Sequence, residues 1–141
     1  MQEHLHMEEK MKHLEMIQGV ITRMASNSFA LKGWAVTLVA GIFALANKDA
    51  NGAYFLVAYI PIIVFWGLDA YYLLQEKLFR ALYDHVRMLP NNKIDFAMNT
   101  SPKKFHEGKN TYGWCFVSKT IMGFYLPLAI VVAGIIILTH M

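Results

Sequence analysis

The sequence has few of the residues that secreted and ordinary soluble domains depend on. Only one of its 141 residues, Cys115, is a cysteine, so no disulfide can form within the chain. Charged residues make up 16% of the chain, whereas soluble domains contain roughly 25%. Hydrophobic residues reach 56%, and they are collected in blocks. This pattern is typical of a membrane protein, and the length leaves room for one domain.

The N-terminal segment lacks the features of a signal peptide. Acidic residues occupy the place of the basic region, and no apolar core follows directly. Apolar residues instead recur at spacings of three and four, which indicates a helix. They are Met7, Met11, Leu14, Ile17, Ile21 and Met24. We therefore expect residues 1–26 to form a cytoplasmic amphipathic helix that ends at the polar residues 26–28.

Three apolar blocks follow, each close to the 20 or so residues that span a bilayer. The first two, residues 28–46 and 53–74, form a predicted transmembrane hairpin (27–74) around the polar turn 47–52. The third lies within residues 118–141. Ser28 is the predicted N-cap of the first span, and Pro61 predicts a kink in the second. The predicted fold class is an all-α integral membrane protein with three transmembrane helices plus the cytoplasmic N-terminal amphipathic helix.

Residues 75–117 form the predicted cytoplasmic part between the second and third spans. Helical periodicity continues from the second span to Leu89, and Pro90 ends it. Residues 90–117 show no clear period, and a connection of that length suggests a functional loop.

The basic residues predict the orientation of the chain in the membrane. The turn 47–52 contains one basic residue, Lys48, whereas seven lysines and arginines lie between residues 75 and 118. We therefore expect the N-terminus and residues 75–118 to be cytoplasmic and the C-terminus to lie outside. Trp34 and Trp114 fall near the predicted inner boundary, where tryptophan is common.

Asp69 and Lys32 are the charged residues at the inner ends of the first two spans. A short turn makes these spans antiparallel neighbours, so the two charges lie at similar depth and an ion pair is expected. The pair could simply fix the register of the hairpin, or both side chains could extend to the interface. Alternatively, Asp69 lines a polar path in an oligomer, as acidic rings do in cation pores.

A second candidate site is the basic part of the long loop. It mixes cations with aromatic residues, which favours a nucleotide or oligonucleotide ligand bound by charge and stacking. Attraction to anionic lipid headgroups is the alternative. The candidate ligand-binding residues are Lys103, Lys104, His106, Lys109, Arg80 and Arg87.

The sequence offers little support for an enzyme or a metal site. Arg80 and His85 have the R-x4-H spacing of one class of ribonucleases, but this spacing is common by chance, and we expect Arg80 to pair with Glu76 instead. His4, His6 and His13 lack the spacing needed to chelate from one helix. We expect no catalytic residues, no metal and no cofactor.

Two stretches between His13 and Arg87 carry a resemblance. They are MIQGVITRMASNSFALKGW and FWGLDAYYLLQEKLFRALYDHVR. They resemble small bacterial membrane effectors of anti-phage operons, of the HalA type that is paired with a nucleotidyltransferase in Hailong systems. The resemblance implies an oligomeric channel in the inner membrane that a nucleotide signal controls and that depolarises the membrane.

Three spans cannot enclose a water-filled path alone, so a pore requires a homo-oligomer, such as a tetramer. The expected function is a gated ion-conducting pore in the inner membrane, acting in anti-phage defence. The alternative is a non-conducting membrane anchor or scaffold whose cytoplasmic helices recruit a soluble partner.

Overall fold

The structure, a computed structural model, describes residues 1–46 and 52–140. All regular structure in these residues is helical. The longer helices are α1 (Gln2–Leu45), α2 (Gly52–Leu56), α3 (Tyr59–Met88), α4 (Tyr112–Phe116) and α5 (Lys119–His140). Short 3-10 turns occupy Asn91–Lys93 and Lys103–Phe105. Most of the predicted turn 47–52 lies outside the described residues.

Three stretches of helix are long and apolar enough to span a membrane, as the sequence predicted. They are Gln2–Leu45, Ala53–Met88 and Lys119–Thr139. The predicted continuation of the second helix beyond its apolar part is confirmed, since α3 runs without interruption to Met88.

Helix α1 corrects the predicted boundary at residues 26–28. The amphipathic segment and the first apolar block are one continuous helix of 44 residues. Serine and asparagine weaken helices only slightly, and packing of one continuous face overrides that preference. Ile21 and Ala35 lie on the same buried face, on either side of the polar cluster. Ser28 is therefore inside the helix, and its predicted role as an N-cap is wrong.

Pro61 interrupts the second apolar block, as its missing N–H requires. The interruption lies at residues 57–58, between α2 and α3, and leaves Pro61 in the first turn of α3, where proline is tolerated. The Ile60 amide donates instead to the carbonyl of Val57 at 3.1 Å. The predicted kink is thus a break between two helices.

Two hydrophobic clusters stabilise the fold at opposite ends of α1 and α3. We refer to residues 28–45, 52–74 and 119–140 as the bundle, and to residues 2–24, 75–88 and 91–105 as the head. The buried residues of the bundle include Ala35, Val39, Ile62, Ala70, Ile121, Tyr125 and Val132. Those of the head are Leu14, Ile17, Ile21, Leu78, Leu82, Val86 and Phe105.

The apolar face predicted for residues 3–24 is buried only where α3 lies beside it. Met7 is 46% exposed, because α3 ends at Met88, opposite Lys10. Met11 is 55% exposed although it lies within reach of α3. The side chain of His13, in contrast, is buried in the head, and His13 is only 2% exposed. Its ring packs edge-on against Phe96 with 5.6 Å between centroids, so the head contains a histidine that the apolar pattern does not reveal.

Residues 91–116 run back along α3 from the end of the head to the edge of the bundle. Lys77 Nζ donates to the carbonyl of Lys109 at 3.2 Å, and the Tyr112 hydroxyl donates to the carbonyl of Gly67 at 3.0 Å. Residues 90–117, which were predicted to be irregular, contain three short helices: Asn91–Lys93, Lys103–Phe105 and α4.

Replacement of Lys10 with methionine is expected to lower the free energy of unfolding by about 1–2 kcal/mol. Lys10 Nζ donates to the carbonyls of Arg87 and Leu89, at 3.0 and 2.7 Å, and so pairs a cation with the carbonyl end of α3. Thermal unfolding in detergent solution measures the change. Lys12→Met is the matched control, because Lys12 is exposed on the same helix; equal melting temperatures for the two variants would contradict the prediction.

Candidate functional site

The candidate site is a buried polar cluster between the head and the bundle, centred on Asp69. Asp69 is fully buried. Lys32 Nζ lies 2.5 Å from Asp69 Oδ2, and the Ser28 hydroxyl donates to Asp69 Oδ1. Lys32 Nζ also donates to Ser28 Oγ at 3.1 Å. The structure thus brings Lys32 and Asp69 together, and adds Ser28, which sequence reasoning missed.

Helix geometry explains why one carboxylate can bind two side chains of α1. Residues four apart lie on the same face of a helix, so Ser28 and Lys32 both point toward α3. Small neighbours in the interface, Ala35 and Ala70, are fully buried and let the two helices approach closely. The spacing of Ser28 from Lys32 is the signal in the sequence that could have identified the serine.

Tyr125 and Phe124 of α5 complete the surroundings of the ion pair. Tyr125 is fully buried, and its hydroxyl faces Asp69 without a hydrogen-bond partner of ordinary geometry in residues 1–46 and 52–140. The Phe124 ring centroid lies 6.0 Å from Lys32 Nζ, within cation–π range. Three helices, α1, α3 and α5, therefore converge on one carboxylate. We name Ser28, Lys32, Asp69 and Tyr125 the Asp69 cluster.

Stacked aromatic rings cover the cluster on the side of α4. The Trp66 ring is nearly parallel to the rings of Phe116 and Tyr125, whose centroids lie 5.1 and 5.8 Å away. Its indole Nε1 donates to the carbonyl of Phe116 at 2.9 Å. The indole thereby fixes both α4 and α5 against α3 beside the carboxylate.

The charges of the cluster compensate each other within one chain. A buried carboxylate is tolerated only when a cation and hydrogen-bond donors satisfy its oxygens, and here both oxygens are satisfied. In this arrangement Asp69 faces the interior between the helices and not an outer surface of the chain. A path past Asp69 requires that this arrangement change.

The second predicted site is divided by the structure. A cleft of about 350 Å³ opens between α3 and residues 93–105, and of the six predicted ligand residues only Lys104 lines it. Arg80 pairs with Glu76 at 2.8 Å and Arg87 with Asp84 at 3.2 Å. His106, Lys103 and Lys109 are exposed outside the cleft. The six residues therefore do not converge on this cleft, and their role in ligand binding stays a prediction.

His85 and Lys93 line the cleft, and sequence reasoning did not select either as a ligand residue. Lys104 Nζ lies 3.0 Å from His85 Nε2, and an ammonium can only donate, so Nε2 accepts and the imidazole proton is on Nδ1. Lys104 also lies 5.1 Å from the centroid of the Phe105 ring. His85 is thus engaged with Lys104 and not with Arg80.

The thiol of Cys115 is expected to be unreactive in the folded protein. Cys115 is fully buried, and burial raises the pKa of its thiol above the ordinary value of 9.0, although Lys77 lowers it in part. Because the folded pKa is the higher one, the fold loses stability as the pH rises above 9. We expect modification by a maleimide at pH 8 to be at least about tenfold slower than in denaturant. Equal rates in the folded and the denatured protein would show that Cys115 is not buried against the bundle.

No group of three or more histidines, cysteines or acidic residues in the described ranges is placed to hold a metal ion. Comparisons with protein-family models, curated proteins and solved structures found no match for the chain.

Proposed function

We propose that this chain is a multi-pass protein of the bacterial inner membrane, with its N-terminus and head in the cytoplasm and its C-terminus outside. Three long apolar helices support this. The bundle also exposes large apolar side chains all around, among them Phe29, Leu45, Ile63, Ile130 and Leu138. Such a surface suits lipid or further copies of the chain. The basic residues of the head suit the cytoplasmic side.

The proposed activity is that of a gated pore formed by several copies, such as a tetramer. In one chain the buried carboxylate is closed in by α1, α3 and α5. Ion conduction therefore needs an oligomer in which the Asp69 cluster opens toward a shared axis. The structure corresponds to the closed state in this proposal.

The observation that carries this proposal is the continuity of α1 and α3 through the Asp69 cluster. Both helices run uninterrupted from the head into the bundle, and their only buried ion pair in the described residues is Lys32–Asp69. A relative movement of the two helices in the head therefore strains this pair. Packed helices that shift between two arrangements are a common switching device.

The resemblance to membrane effectors of anti-phage operons supports the proposed context. In that context a nucleotide-type ligand, made by a nucleotidyltransferase of the same operon, controls the pore, and opening depolarises the membrane. The cleft that contains Lys93 and Lys104 supplies cations for such a ligand.

A second candidate function is a non-conducting anchor or scaffold. One observation favours it: Asp69 is neutralised within a single chain by Lys32 and Ser28. A register lock of this kind needs no neighbouring copy. The exposed Met7, Met11 and Met16 of the head would then be the surface that recruits a soluble partner.

Ion flux across liposomes distinguishes the two functions. Asp69→Asn weakens the charged hydrogen bonds of the closed state, which contribute about 1.5–3 kcal/mol each, so we expect K⁺ flux to rise about tenfold or more over the wild-type protein. Asp84→Asn is the matched control, since Asp84 is an exposed acid of the same helix. No flux from either variant, under conditions where both are inserted and folded, would contradict the pore and favour the anchor.

A further inference from the structure

Helix α4 has one buried face and one exposed apolar face. Cys115 is fully buried in the bundle cluster, and Phe116 packs beneath Trp66. The side chains of Trp114 and of Val117, which directly follows the helix, are 56% and 53% exposed. An apolar pair that includes a tryptophan is costly to leave in water, since such large rings dominate hydrophobic burial.

The position of α4 along the bundle is fixed by its contacts. Tyr112 reaches the carbonyl of Gly67, which precedes Asp69 by two residues. Helix α5 begins at Lys119, only three residues after α4 ends. On the neighbouring helix α1, Trp34 is 60% exposed and follows Lys32 by two residues. The exposed aromatic rings therefore lie at the level of the Asp69 cluster, where the bundle meets the head.

The charged residues that flank α4 in the chain are lysines. Residues 108–141 contain no aspartate or glutamate, and Lys109 and Lys119 flank the helix. Both lysines are exposed. An apolar face bordered by cations matches the boundary between acyl chains and phosphate groups in a phospholipid layer.

We propose that α4 lies in the plane of the membrane surface, with Trp114 and Val117 inserted at the boundary between headgroups and acyl chains. Lys109 and Lys119 then reach the phosphate groups. Insertion buries the face that the bundle leaves uncovered, and it places the Asp69 cluster at the inner edge of the bilayer. The proposal rests on the membrane part of the proposed function and does not depend on ion conduction.

Spin labels at single cysteines test the proposal on the full chain in nanodiscs of mixed phosphatidylethanolamine and phosphatidylglycerol. The label is attached to Val117→Cys in a Cys115→Ala background. We expect it to be more accessible to oxygen than to a water-soluble nickel chelate, at a depth of about 5–10 Å. Glu107→Cys, on the exposed loop before α4, is the aqueous control, and Ile130→Cys, exposed near the middle of α5, is the control for the acyl chains.

The controls separate failure of this proposal from failure of the membrane assignment. If Ile130→Cys is accessible to oxygen while Val117→Cys behaves like Glu107→Cys, the bundle is inserted and the proposal for α4 is wrong. If Ile130→Cys is also accessible to the chelate, membrane insertion itself is contradicted, and the proposal with it. Trp114 provides a measurement without a label at position 117: lipids brominated near the headgroup should quench the wild-type protein more than Trp114→Phe.

Discussion

Replacement of Lys32 with methionine is expected to destabilise the folded protein by about 3–5 kcal/mol, the cost of leaving a buried charge without its partner. Asp69 is fully buried, whereas Lys32 retains 17% exposure of its side chain. The carboxylate cannot reach water when the ammonium is removed. The lysine, in contrast, can extend to the interface when the carboxylate is removed. The two single substitutions should therefore differ.

The two partners of the ion pair are expected to differ in the free energy of unfolding that is lost when each is replaced. Asp69→Asn keeps an oxygen that accepts from Ser28 and removes the charge, so it should cost clearly less than Lys32→Met. Lys32→Met combined with Asp69→Asn should recover most of the loss, because no uncompensated charge remains.

Unfolding by SDS in mixed micelles, followed by tryptophan fluorescence, measures these free energies. Lys12→Met serves as the control for removal of a lysine from an exposed position of α1. A loss below about 1 kcal/mol for Lys32→Met, the range of exposed ion pairs, would show that the Asp69 cluster is open to water.

Ser26→Pro is expected to cost about 3 kcal/mol or more, since proline inside a helix removes one hydrogen bond and clashes with the carbonyl four residues earlier. Ser26 is exposed and lies inside α1, so the substitution alters the backbone without changing a packed side chain. It should separate the head from the bundle and reduce the coupling on which the proposed gating depends.

Ser26→Ala is the matched control, and it should leave stability equal or slightly higher, because alanine favours the helix by about 0.5 kcal/mol. Far-ultraviolet circular dichroism and SDS unfolding report the loss of helix and of stability. If proline at position 26 costs no more than alanine, then α1 consists of two independent helices, as the polar residues 26–28 suggested.

The sequence was sufficient for those features that depend on long apolar periodicity or on short connections. Helix α3 continues to Met88 because its apolar face continues in period. Lys32 contacts Asp69 because a short connection places two antiparallel helices side by side, with these two residues at the same depth. These inferences need only helix geometry and the depth of each charge.

Other features depend on packing that a sequence does not display. The side chains of residues 26–28 prefer caps and turns in isolation, and only the contact of α1 with α3 shows that a helix continues there. Tyr125 enters the Asp69 cluster from a helix more than fifty residues away in the chain. Helix α4 is too short for periodicity to be recognised.

The basic loop shows a third kind of limit. Charge composition alone suggested one ligand face, but Arg80 and Arg87 each have a carboxylate within four residues on the same helix. Local pairing of this kind can be predicted from the sequence, as the Arg80–Glu76 pair shows. The path of residues 93–105, which brings Lys93 and Lys104 to one cleft, is not readable, because no regular element determines it.

The Asp69 cluster divides α1 into two unequal arms. Residues 2–31 form an arm of about 45 Å, and residues 33–45 form one of about 20 Å. With the ion pair as a fulcrum, a tilt of about 5° displaces the far end of the long arm by about 4 Å. Transmembrane helices adapt to bilayer thickness by tilting, so in the proposed membrane arrangement a thinner or thicker bilayer would move the tip of the head more than twice as far as the outer end of α1.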